Sequence, residues 1–194
     1  MKRRLLPVLT AFCIAALGMA VPLAAAESAA SPGEVKLSYK LNSFFRLASN
    51  QLAVWIEDEN GKFVKTLFAT DFMAKRRGFE KRAQCCPQWV KAANPKRMSD
   101  SELDAIAGAT QKAGEHTLVW DCSDGNGRPV PAGVYLYKIE GNIQWEKTQL
   151  WTGRIRVGDT SDRSKAEVKY YPEPAKAKED LVTRVQAVFV PRRK

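Results

Sequence analysis

The sequence predicts an all-β sandwich. Three observations carry that reading. Short segments alternate apolar and polar residues along most of the chain. Clusters of Gly, Asn, Asp and Pro separate them. Only one stretch has a well-formed helix signature. Seven or so short strands with regular turns are what two packed antiparallel sheets require.

The strands follow in order. Residues 34–42 (EVKLSYKLN) place Val35, Leu37, Tyr39 and Leu41 on one face, the pattern of a half-buried strand. Residues 52–68 (LAVWIEDENGKFVKTLF) read as a hairpin, with Leu52, Val54 and Ile56 sharing a face. Asn60-Gly61 is its turn signal, expected to place both residues at positive φ. Residues 71–97 are basic and lack a clean period, and Pro87 interrupts them. They read as a long excursion with one helical turn near residues 88–93.

Residues 99–107 (SDSELDAIA) form the helix. Ser99 and Glu102 make a capping box, Asp100 suits the positive end of the dipole, and Gly108 is expected as the C-cap. Strands then resume at residues 116–121, 134–140 and 149–157, with a Gly/Asp/Asn/Pro turn at 122–133. Residues 159–178 are polar and read as linker, with an edge strand at 168–171. Residues 181–190 (LVTRVQAVFV) have the β propensity of a last strand.

Residues 1–26 carry Lys2, Arg3 and Arg4, then a nearly uncharged apolar run ending in Ala24-Ala25-Ala26. That is the pattern of a cleaved secretory signal peptide. Cys13 within it has no lipobox-like setting. The organisation is therefore a signal peptide at 1–26, a sandwich domain at 27–158 and a C-terminal extension at 159–194. No later stretch is apolar and long enough to span a membrane. The expected compartment is the periplasm, or otherwise outside the cytoplasm. The mature chain of 168 residues would hold 28 basic and 21 acidic residues, a net charge of +7. That surplus suits solubility and anionic partners. Export and the lack of a binding motif speak against nucleic acid.

Residues 113–141 (AGEHTLVWDCSDGNGRPVPAGVYLYKIEG) resemble the Ig-like domain of flagellar hook-capping proteins and related bacterial surface modules. The resemblance rests on Trp120, Asp121, Gly127, Val130, Pro131, Ala132, Gly133 and Tyr135. It implies an Ig-like sandwich in which Trp120 is an inward anchor and Asp121 accepts bonds from turn amides. A calcium loop through Asp121, Asp124 and Asn126 does not fit the EF-hand spacing and lacks its distal Glu. More widely, residues 52–157 look like a family of predicted periplasmic proteins of unknown function. Members of that family accompany exported flavin-transfer and redox proteins.

Residues 104–110 (DAIAGAT) resemble the acceptor motif of extracytosolic flavoproteins, in which an exported flavin transferase joins FMN to a threonine. The resemblance makes Thr110 the attachment residue and Asp104 the motif acid. It makes Gly108 and Ala109 the small residues that admit the enzyme and the flavin phosphate. The sequence departs from the motif at Ala107, where Ser or Thr is usual. Trp89, Trp120 and Trp151 are candidate shelves for the flavin rings. A structural reading of the same stretch is a capped helix followed by a loop.

Three cysteines follow the signal peptide: Cys85, Cys86 and Cys122. Export permits a disulfide from Cys85 or Cys86 to Cys122, contributing about 3–4 kcal/mol by closing that loop. A metal site shared with His116 fails on reach, since an extended strand sets His116 and Cys122 roughly 20 Å apart. No catalytic signature surrounds the lone histidine, so no turnover chemistry is expected. Two functions compete. One is a periplasmic accessory of flavin redox systems carrying covalent FMN, partnered by a flavin transferase and periplasmic or membrane redox proteins. The other is an Ig-like interaction or assembly module without a cofactor.

Overall fold

The computed structural model describes residues 32–43, 50–144, 146–172 and 180–193. The signal-peptide reading of residues 1–26 lies outside them. Two sheets pack as a β-sandwich. The four-stranded sheet runs β5 (Gly114–Trp120), β1 (Gly33–Leu41), β10 (Val182–Pro191) and β8 (Asp162–Lys165). The six-stranded sheet runs β4 (Ala107–Gly108), β3 (Phe63–Thr70), β2 (Leu52–Asp58), β6 (Gly133–Gln144), β7 (Lys147–Val157) and β9 (Glu167–Tyr171).

The register follows the alternation in the sequence. Val35 stands level with Trp120 and Phe189, and Leu37 with Leu118 and Ala187. These rows point into the inter-sheet core, where Val54, Ile56, Tyr137 and Ile139 meet them from the other sheet. The C-terminal stretch supplies β8, β9 and β10, and β10 lies between β1 and β8. It is thus an internal strand of the sandwich, where its apolar residues are needed.

β2 is buried on both faces. Its alternate residues Ala53 and Trp55 enter a second core on the outer side of the six-stranded sheet. The basic excursion covers that side. It folds into α1 (Gly78–Lys81), α2 (Pro87–Ala93) and 3₁₀ turns at Ala83–Cys85 and Pro95–Arg97, followed by α3 (Asp100–Ile106). Met73, Phe79 and Leu103 are buried beneath it. Each such side chain contributes about 1.5–3 kcal/mol. The helical turn expected near residues 88–93 is α2, and the rest of the segment is a packed layer rather than a long loop.

Three further expectations are corrected. Asn60 is not at positive φ; only Gly61 is, at 80°. Asp58 holds the turn instead, accepting from Asn60 N and Lys62 N at 2.9 Å each. Gly108 is not the helix C-cap. Ala107 is, in extended conformation, and Gly108 pairs in β4. No disulfide forms among the described residues: Cys85, Cys86 and Cys122 are free and buried. Cys122 lies in the inter-sheet core, whereas Cys85 and Cys86 lie in the second core. The six-stranded sheet stands between them, so the expected bond has no path.

The Trp120–Asp121 turn is built from its own groups. Trp120 is fully buried and its Nε1 donates to Ser123 O at 2.8 Å. Asp121 Oδ1 accepts from Ser123 N, Ser123 Oγ and Lys65 Nζ. Asp124 Oδ1 accepts from Asn126 N and Arg128 N.

Candidate functional site around Thr110

The site is assembled from α3, β4 and the loop into β5. The capping box starts α3: Ser99 N donates to Glu102 Oε2 at 2.7 Å, and Glu102 N donates to Ser99 Oγ at 3.3 Å. Leu103 anchors the helix in the second core. The chain then turns extended and lays Ala107 and Gly108 parallel to Ala69 and Thr70 of β3. Asp71 N donates to Gly108 O at 2.7 Å. A Cβ on Gly108 would sit 2.3 Å from the Phe68 ring, so the glycine admits that ring against the backbone.

Residues 109–113 cross to β5, and two anchors hold them. The Tyr39 hydroxyl donates to Gln111 Oε1 at 2.7 Å. His116 Nε2 lies 2.7 Å from Lys112 O, and since a carbonyl only accepts, Nε2 carries the proton. The His116 ring stacks on Tyr39 with centroids 5.6 Å apart. Tyr39 is fully buried, and burial pushes its hydroxyl pKa up to about 12. It therefore stays a donor at any physiological pH.

Between these anchors and β4, Ala109 and Thr110 are exposed. Thr110 borders a cavity of about 140 Å³ shared with Asn42, Asn50, Thr70, Gln111 and Leu181. Ligand pockets usually run to ~300 Å³ or more, so this one does not enclose a large ring system. Asp104 is exposed on α3 and pairs with Lys75 at 3.3 Å. The structure thus brings Gly108, Ala109 and Thr110 together on one presented edge and gives Asp104 a different partner. The expected aromatic shelves lie elsewhere. Trp89 and Trp120 are fully buried, and the half-buried Trp151 sits on β7, in the six-stranded sheet.

Residues 33–172 match a family described as predicted periplasmic protein (DUF2271), over more than two thirds of the chain. The chain belongs to this family. The protein is thereby a periplasmic one, and no helix among the described residues is long and apolar enough to cross a membrane. The family span holds β1 to β9 and all of DAIAGAT, and ends before β10. No curated protein and no solved structure matches the chain.

A second polar cluster escaped the sequence reading. Glu140, on β6, is fully buried under the helical layer. Its Oε2 accepts from Trp89 N at 2.9 Å, and Thr148 Oγ1 lies 3.5 Å from Oε1. Trp89 Nε1 donates to Thr66 Oγ1 at 3.0 Å. Burial pushes the Glu140 carboxyl up to about 7. Four residues along β2 from Ala53, the register partner of Glu140, Glu57 accepts from Trp55 Nε1 at 2.7 Å and pairs with Lys138 at 2.6 Å. The apolar residues of the excursion (Met73, Phe79 and Trp89 among them) were the available signal, because they require a surface to cover. This cluster joins the helical layer to the sheet. Every buried side-chain polar atom among the described residues has a partner.

Proposed function

We propose that the protein is an accessory of periplasmic flavin redox systems that carries FMN on Thr110 and passes electrons without turnover chemistry of its own. The observation supporting this reading is the presentation of Thr110. Thr110 carries its hydroxyl on an exposed residue, beside two small ones, on a short loop anchored at Gln111 and Lys112. An exported transferase needs such a hydroxyl. The ester forms between Thr110 Oγ1 and the flavin phosphate as the phosphoanhydride bond of an activated flavin donor breaks; the leaving phosphate departs with that bond's electrons, and the hydroxyl proton passes to a base of the transferase.

The residues near Thr110 suit the ester better than the ring. The adjacent cavity is small, and Gly108 is filled over by Phe68. Bound flavin would supply one- and two-electron redox chemistry, and the chain's part is to hold it on a fixed loop outside the core. The test compares Thr110→Ala with the parent chain after export beside an active flavin transferase. The parent is expected to gain flavin absorbance that survives denaturation, and the variant is not. A parent chain without flavin under those conditions removes the reading.

The Trp120–Asp121 turn favours the second reading, an Ig-like interaction or assembly module. That turn meets its own hydrogen-bonding needs without a ligand. Under this reading Thr110→Ala changes nothing.

A further inference from the structure

Another groove lies where the chain crosses from the four-stranded to the six-stranded sheet at Ala166. Trp151, Lys165, Ala166, Arg184, Val185 and Gln186 line a cavity of about 330 Å³. That volume is within the ~300–1,000 Å³ range of small-molecule sites. The half-buried Trp151 is fixed by its Nε1, which donates to Val182 O at 3.0 Å.

The cations at this groove are underused. Lys165 is exposed and has no ion pair among the described residues. Arg184 has one partner there, Glu115 at 3.5 Å, and both are mostly exposed. Such a pair is worth little in water. No carboxylate lines the cavity.

The backbone adds a second observation. Arg184 has φ 55°, in the left-handed region. It sits where the β1–β10 register slips between Ser38 and Lys40. Glycine takes that conformation without the side-chain penalty, yet the chain has an arginine. Ala166 N donates to Val185 O at 3.0 Å and pins the next residue of the bulge. The conformation is costly for arginine and gives no gain in packing, since the side chain is exposed.

We infer that this groove binds a planar aromatic anion, its ring against the Trp151 indole and its phosphate or carboxylate taken by Lys165 and Arg184. Indole faces suit flat rings, and charge-assisted bonds to guanidinium suit planar or tetrahedral anions. The inference is independent of flavin attachment, so its test uses the exported Thr110→Ala chain, free of any tethered group. The probe is free FMN at low ionic strength, read by fluorescence anisotropy. Riboflavin (a ring without phosphate) and inorganic phosphate (an anion without a ring) are the controls.

FMN is expected to bind saturably, with riboflavin about tenfold or more weaker for want of the charge-assisted bonds. Lys165→Gln with Arg184→Gly is expected to weaken FMN about tenfold or more, by loss of the same bonds. Glycine accepts the backbone of residue 184, so the unfolding midpoint of that variant should not fall. The inference is overturned by absence of saturable FMN binding, by equal riboflavin binding, or by FMN binding undiminished in the folded double variant. Inorganic phosphate that displaces FMN at matching concentration would also overturn it, since the ring would then contribute nothing.

Discussion

Glu140 holds its proton at a pH where exposed carboxyls have lost theirs. Burial raises its pKa from 4.5 to about 7, against the opposing bonds from the backbone of Trp89 and Gln88. The folded state therefore binds the proton more tightly than the unfolded one. Its contribution is fully present below about 4.5 and is lost as pH rises through about 7. The difference amounts to roughly 3 kcal/mol. Urea unfolding should show the protein less stable at pH 8 than at pH 5, and Glu140→Gln should flatten that slope. A slope unchanged in the variant would place the titration elsewhere. The cysteines give a second prediction at this scale. Burial raises all three thiols, Cys122 to about 12. In a chain that starts at Glu27, alkylation without reductant should label none in the native state and three after denaturation. A single label after denaturation would restore a disulfide.

α3 and β4 place the loop at residues 109–113, and each depends on one local device. Ser99→Ala removes half of the capping box and should cost about 1 kcal/mol. Faster amide exchange confined to residues 100–106 would report it. Gly108→Ala forces a methyl into the Phe68 ring and should cost about 1–3 kcal/mol. Phe68→Leu in the same chain should recover part of that loss in thermal unfolding. If Gly108→Ala is harmless alone, the glycine serves the motif and not the packing. The sequence made these elements unequally visible. β1 was legible because one face is buried and the alternation shows it. The capping box was legible because its partners are three residues apart. The helical layer was not, because its apolar residues are divided among elements of three to seven residues, too short to display a period. Glu140 was not singled out, because its burial comes from that layer.

Across the whole molecule, the sandwich gathers residues that are far apart in the chain. The short motif singles out Thr110 as a candidate, and the structure shows that residue exposed. Its support was not legible: the Tyr39 hydroxyl that anchors Gln111 lies 72 residues away. The cysteine pairing failed for the same reason, since only the fold shows that a sheet separates the partners. Residues 71–97 carry eight basic and two acidic residues, more than half of the chain's net charge of +10, and they cover the outer side of the six-stranded sheet. The loop that carries Thr110 follows directly from this layer through α3 and β4. A positive surface there would speed encounter with anionic partners, with a strong dependence on ionic strength.

The most direct measurement is the intact mass of the exported protein made beside an active flavin transferase, with Thr110→Ala as its control. A gain of one FMN less one water in the parent, absent from the variant, is the predicted result. An unmodified parent mass, or the same gain in the variant, would contradict Thr110 as the point of attachment.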